Sequence, residues 1–389
     1  MLIAALSLAA PGSAIAQQIG EELAGRLSES QQRAYIVYLR ARSQFNRSTD
    51  AYWSVIEEMK DQRRRKRSAG QPFAASDYVA VQPPAYEGPA LPPDVARIIA
   101  SAKPPTPPED MAVVADFLAA ARKVYGFVPT PTTEAVFKQR YAEEALGFGL
   151  TKDQVVRVYA LETGGRGTYD MQAGFDPETK KGRPISSALG YAQLLAANSV
   201  NEIVKHGPSF VERLQTVAAR QSTGSARATA LKAKANAVRR MVRAARSVPN
   251  VWSAHVALAR TPKGLGIHAL NLDADIGPWL QVIKLKGVRD YAVKAGRPNL
   301  SGAEIELMNL AGPQTGLDMM EPLGRGVPTA NFFTQKAYDR NPIVKGRTSV
   351  GLLEALQQRM DANLLKAGSI DFAKAFDVAL AARAKGARR

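Results

Sequence analysis

Among the ionisable residues of this chain, Glu162 has the surroundings best suited to moving a proton. It ends the apolar run Tyr159-Ala160-Leu161 and is followed by Thr163 and then Gly164 and Gly165. Val155, Val158 and Tyr159 precede it by seven, four and three residues, so in a helix its carboxylate shares the stripe of apolar side chains that face a core. Partial burial disfavours the charged form, and so does the carbonyl end of the helix dipole; both push the carboxyl pKa upward. A carboxyl tuned toward neutral pH is what a general acid requires, and such catalysis contributes roughly 10²–10⁴ in rate. A structural ion pair with Arg157 or Arg166 is the alternative use of the same acid. Two further places carry polar groups that could join it. SSALGYAQLL brings Gly190, Tyr191 and Gln193 into a turn ahead of an apolar helix start, and IELMNLAGP puts Asn309 four residues after Ile305, on an inward stripe. A buried Asn must satisfy its amide, either within the core or on a ligand.

The elements that hold these groups are marked by their ends. Thr151-Lys-Asp-Gln154 reads as a capping box, so a helix should run from about Lys152 to Thr163 and stop at Gly164 and Gly165, whose lack of a side chain would let backbone approach a ligand. Ser301-Gly-Ala-Glu304 is a second such box, opening a helix that stops at Gly312-Pro313. Elsewhere the apolar spacing is helical, and no run alternates well enough to give several strands, which predicts a mainly α fold. Residues 17–68 read as an N-terminal helical segment ending in RRRKR at 63–67, which is either an anion-holding run or a solvated helix end. Residues 69–108 hold ten of the 24 prolines and read as a linker or arm. The main domain is expected over 109–365, followed by a C-terminal helix and basic tail over 366–389. Between Glu212 and Asp273 no acid occurs while Lys and Arg recur, and Leu231, Val238, Met241, Val242 and Ala245 mark one apolar face of a helix there. This basic insertion, near 213–260, is expected to turn its cations outward, toward an anion.

With 389 residues and 46% hydrophobic content the chain can bury a large core, and a formal charge of +17 favours anionic partners. The opening MLIAALSLAAPGSAIAQQ has an apolar stretch and then Ala14-Ile15-Ala16, so residues 1–16 read as a signal peptide and the protein is expected in the periplasm or secreted. No other apolar run reaches the ~18 residues that span a bilayer, so no transmembrane anchor is expected. The absence of Cys excludes disulfides and thiolate chemistry. His206, His255 and His268 show no ligand spacing, so no metal and no cofactor is expected; P-loop, dinucleotide and nucleophile-elbow motifs are missing. Trp252, Trp279, Phe332 and Phe333 are the aromatics that could stack on sugar rings or fill the core.

Taken in order, E-T-G-G at Glu162, G-Y-A-Q-L-L at Gly190 and M-N-L-A-G-P at Asn309 resemble the lytic transglycosylase family of the lysozyme-like superfamily. In that family a catalytic Glu followed by Ser precedes a G-L-M-Q-L turn and a Y-N-A-G helix. The resemblance covers roughly residues 110–345. It implies a lysozyme-like helical domain that cuts the β-1,4 bond between N-acetylmuramic acid and N-acetylglucosamine and leaves a 1,6-anhydro end. The implied partner is the peptidoglycan glycan strand, with no nucleic acid expected. Glu162 matches the single catalytic acid, and Thr163 keeps the hydroxyl of the family's Ser. Gly190, Tyr191 and Gln193 would line the sugar cleft, Asn309 would orient substrate, and Tyr338 stands for the family's late tyrosine, four residues after Thr334 rather than three. Ala192 and Met308 depart from the family's Met and Tyr. The polar insert after Glu162 also contains Asp170, Asp176 and Glu178, any of which would supply a second carboxylate for hydrolysis instead. A wall-binding protein without activity, or a nucleic-acid binder resting on charge alone, are the readings outside catalysis.

Overall fold

The computed structural model describes residues 20–102 and 111–386, so the signal-like segment 1–16 lies outside the described residues. Helix accounts for 68% of the structure and no strand forms among the described residues, in line with the helical spacing of the sequence. None of these helices is long and apolar enough to cross a membrane. The chain parts into two compact units: residues 1–109 with 322–349, and residues 110–321 with 350–389.

The first unit is organised on one helix, Glu29–Ser68, whose start is fixed by a capping box between Ser28 and Gln31. At 1.5 Å per residue it is about 60 Å long. Over its described part, residues 69–102, the proline-rich stretch is not a free linker, because it follows this helix as an arm. Tyr52 donates its hydroxyl proton to the Val81 carbonyl at 2.9 Å, and the Gln31 amide donates to Asp94 at 2.6 Å in the short helix Pro93–Ala102. The RRRKR run is only partly a solvated end. Arg63 is buried, donating to the carbonyls of Asp77 and Asn331, with its guanidinium over the rings of Tyr78 and Phe332. The Asn331 side chain brackets Val79, accepting from its N–H and donating to its carbonyl, each at 2.8 Å. These bonds draw 322–349 out of the domain expected over 109–365 and into the N-terminal unit.

In the second unit the helix Lys152–Thr163 forms as expected. Thr151 accepts from the Gln154 N–H, Gln154 accepts from the Thr151 N–H, and Gly164 ends the helix in the left-handed region at φ 64°. It packs against the helices Gly302–Ala311 and Ala367–Gly386. The basic insertion expected near 213–260 spans the end of the helix Ala196–Ala219, the helix Ala226–Ala245 and the short helix Trp252–Ala259. The first two pair as a helical hairpin whose inner faces join the main core through Val200, Ile203, Phe210, Leu231, Val238 and Met241. Its foot is ionic: Lys234 bonds both Asp273 and Asp275, and Arg227 bonds Asp275. Burial works against ionisation of Asp275, but the hydrogen bonds from Arg227 and Lys234 overcome it and hold the carboxyl at about 2. Residues 164–195 are irregular, with isolated bridges pairing Gln172 with Leu189, Phe175 with Gly182 and Leu189 with Leu194.

Candidate active site

Glu162 sits on the last turn of its helix, partly exposed, above the buried Val155, Val158 and Tyr159. The helix Gly302–Ala311 brings Asn309 to it: Asn309 Nδ2 lies 3.4 Å from Glu162 Oε1. The same amide reaches Glu306, one turn earlier on its own helix, at 3.4 Å from Oε1 and 3.3 Å from Oε2. Glu306 is only 3% exposed and hydrogen-bonds the Glu162 carboxyl. Asn309 Oδ1 is buried with no hydrogen-bond partner. The core of the site is therefore two carboxyls joined to each other and bridged by one amide.

Two carboxyls in contact, one buried and one partly buried, cannot both ionise cheaply. Burial pushes Glu162 up to about 7, against the pull of Lys284, of the hydrogen bond from Glu306 and of Arg359. Burial, and then the Glu162 charge, push Glu306 well above the usual carboxylate range. At neutral pH the pair thus retains at least one proton. Glu306 was not singled out by sequence, although its spacing of three before Asn309 placed it on the same helix face.

The expected second carboxylates are occupied within the polar insert. Asp170 bonds Thr168 and Lys180, Asp176 caps the backbone of Glu178 and Thr179, and Glu178 pairs with Arg166. Arg157, offered as a structural partner for Glu162, is held instead by Asp153 and Asp361.

Several residues expected at a sugar cleft have other work. Tyr191 is 1% exposed; it lies among Phe137, Tyr141, Tyr159 and Phe372, and its hydroxyl donates to Glu134 at 2.5 Å. An apolar environment on every side claimed this ring, so it is core rather than cleft wall. Thr163 is buried, its hydroxyl donating back to the Tyr159 carbonyl at 2.7 Å. Tyr338 belongs to the first unit, where it packs edge-on against Trp53 and accepts from the Gly346 N–H. Gln193 is partly exposed and holds a left-handed backbone at φ 41°, its amide donating to the carbonyls of Gly190 and Met171. Gly190 has φ 76°, and a Cβ there would lie 2.3 Å from Gln281 Nε2. These two residues fix the turn itself. Gly165 meets protein rather than an open approach: a Cβ would sit 2.3 Å from the Asn363 carbonyl.

Of the four candidate stacking aromatics, Trp279, Phe332 and Phe333 are buried and Trp252 is 51% exposed. His268 is fully buried; burial lowers its pKa to about 4, and it bonds Ser199 and the Ser187 carbonyl, a structural arrangement. No family model, curated protein or solved structure matches the chain.

Proposed function

We propose that the protein cleaves peptidoglycan glycan strands as a lytic transglycosylase, with Glu162 as its single general acid and base. The observation that carries this reading is the contact between Asn309 and the partly buried, proton-retaining Glu162, which joins the first and third of the three sequence segments. In this reaction Glu162 protonates the glycosidic oxygen as its bond to the muramic C1 breaks. The resulting carboxylate then takes the proton of the C6 hydroxyl as that oxygen bonds C1, so no water is consumed. Asn309, already donating toward Glu162 Oε1, keeps that oxygen oriented. Glu306 does not read as the second carboxylate of a hydrolase, since the paired-carboxylate mechanisms need about 5–9.5 Å between the two groups for sugar or water. In direct hydrogen bond with Glu162, it serves to set that group's proton affinity. An exported, wall-located enzyme with a lysozyme-like catalytic domain is the setting that fits this chemistry.

Incubation with purified peptidoglycan and mass spectrometry of the soluble products tests the proposal. Muropeptides lighter by one water than their hydrolytic counterparts are expected. Products carrying the added water would replace it with hydrolysis, and no soluble product would remove catalysis altogether.

Lys284 gives a pH test of the same site. Its charge favours the ionised form of Glu162, so Lys284→Met raises the pKa of the acid. Because the acid must be protonated to act, the alkaline limb of the kcat/KM profile moves to higher pH. Glu306→Leu, which removes a hydrogen bond to the anion, moves the limb the same way, whereas Glu306→Gln keeps an N–H donor and leaves it closer to the parent. A limb that stays fixed in Lys284→Met and Glu306→Leu would detach both residues from the proton transfer.

A further inference from the structure

Two sets of cations on the basic hairpin have different fates, while Arg240 donates to the Tyr125 carbonyl. Arg213, Arg227 and Lys234 are each neutralised, by Glu144, by Asp275 and by Asp273 with Asp275, and of the three Lys234 is buried. Lys232, Arg239, Arg243 and Arg246 are exposed, and none pairs with a carboxylate among the described residues. Lys232, Arg239 and Arg246 are spaced by seven, with Arg243 between the last two. At 3.6 residues per turn this aligns the four along one side of the helix over roughly 21 Å. The buried face of the helix is taken by Leu231, Lys234, Ala235, Val238, Met241, Val242 and Ala245, so the helix cannot roll to hide the charges.

Part of the stripe is held in place by neutral acceptors. Arg246 donates from Nε and Nη2 to the Val204 carbonyl at 3.1 and 2.9 Å, and Arg239 donates to Asn236 Oδ1 at 2.6 Å. These bonds orient guanidinium groups without cancelling their charge. A stable fold gains nothing from four aligned, unneutralised cations, whose mutual repulsion is unfavourable.

We propose that this stripe binds a linear polyanion whose charges are phosphates along a flexible chain. Guanidinium forks match phosphate oxygens in pairs, and the narrow, straight row fits a chain lying along the helix better than a broad surface. Recognition is of the backbone charge, independent of anything attached to it, and it does not rest on the Glu162 reading.

The test uses the full chain with two probes, inorganic polyphosphate and a short oligothymidylate, with affinity measured across a salt series. Both probes bind, with an affinity that falls steeply with salt. Lys232→Gln, Arg239→Gln and Arg243→Gln together remove three phosphate contacts and lower the log–log salt slope by about 2 for a single strand. A control carrying Lys336→Gln, Arg340→Gln and Lys385→Gln loses the same net charge and keeps the parent slope. All these side chains are exposed, so unchanged thermal unfolding is expected in both variants. An equal loss in the two variants would assign binding to net charge and overturn the stripe. Binding to the oligonucleotide but not to polyphosphate would assign it to bases, and binding only to phosphatidylglycerol vesicles would assign it to a membrane; each result overturns the proposal.

Discussion

Glu162→Gln lowers the rate of glycan cleavage by about 10²–10⁴, the usual contribution of one general acid, and leaves the helical fold intact. Gln fills the same volume and still meets the Asn309 and Glu306 side chains, but it has no proton to give a leaving oxygen. Assaying soluble muropeptide release by both proteins checks this. A loss of under tenfold, about 1.4 kcal/mol of barrier, would take Glu162 out of the mechanism. The same substitution has a second signature that needs no substrate. The folded protein keeps protons on the Glu162–Glu306 pair at pH values where a free glutamate has released them. The pair therefore favours the folded state below the ordinary glutamate pKa, and that contribution is lost as pH rises through about 7 for Glu162. Removing the ionising group should stabilise the variant relative to the parent above neutrality, with the gain vanishing near about pH 4. Thermal unfolding at both pH values reads it out. A variant that loses activity without this gain would keep the catalytic role and reject the electrostatic origin assigned to it.

The largest expected loss of stability lies elsewhere, in Lys234→Met. Lys234 is buried and its ammonium is the cation between Asp273, itself wholly buried, and Asp275. Met fills the space of the side chain but leaves Asp273 with an uncompensated charge in the core. Breaking a buried pair in this way costs about 3–5 kcal/mol, which lowers the unfolding midpoint by on the order of 10 °C. Lys232→Met, two residues away on the exposed side of the same helix, should change it by less than about 0.5 kcal/mol. Differential scanning calorimetry of the two variants makes the comparison, and equal effects would mean that the ion cluster does not anchor the hairpin.

What could be read from the sequence follows the range of the interactions involved. The helix Lys152–Thr163 was legible to the residue because its start and stop are local: Thr151 and Gln154 cap each other, and Gly164 takes a conformation other residues resist. The second capping box, at Ser301 and Glu304, was legible for the same reason. The inward direction of Glu162 and Asn309 followed from helical spacing alone. Glu306 had that spacing too, but an acid between Ile305 and Leu307 carries no local sign that its carboxyl lies in the core. Tyr191 misled because a polar aromatic in a glycine turn resembles a ligand contact, and only tertiary packing surrounds it with Phe137, Tyr141, Tyr159 and Phe372. The division of the basic residues was equally hidden. Lys234 and Asp273 are thirty-nine positions apart, and nothing near either one distinguishes Lys234 from Lys232 beyond the side of the helix it occupies. The grouping of 322–349 with the first unit rests on Asn331 and Arg63, 268 residues apart.

Titration of the glutamate side chains by carboxyl-carbon NMR, in the parent protein and in Glu162→Gln, measures the claim on which the function depends. One glutamate signal with a midpoint near 7 that is lost in the variant is the expected result. If every glutamate in the parent titrates in the ordinary range around 4.3, the site holds no proton at neutral pH and the assignment of Glu162 as a general acid is contradicted.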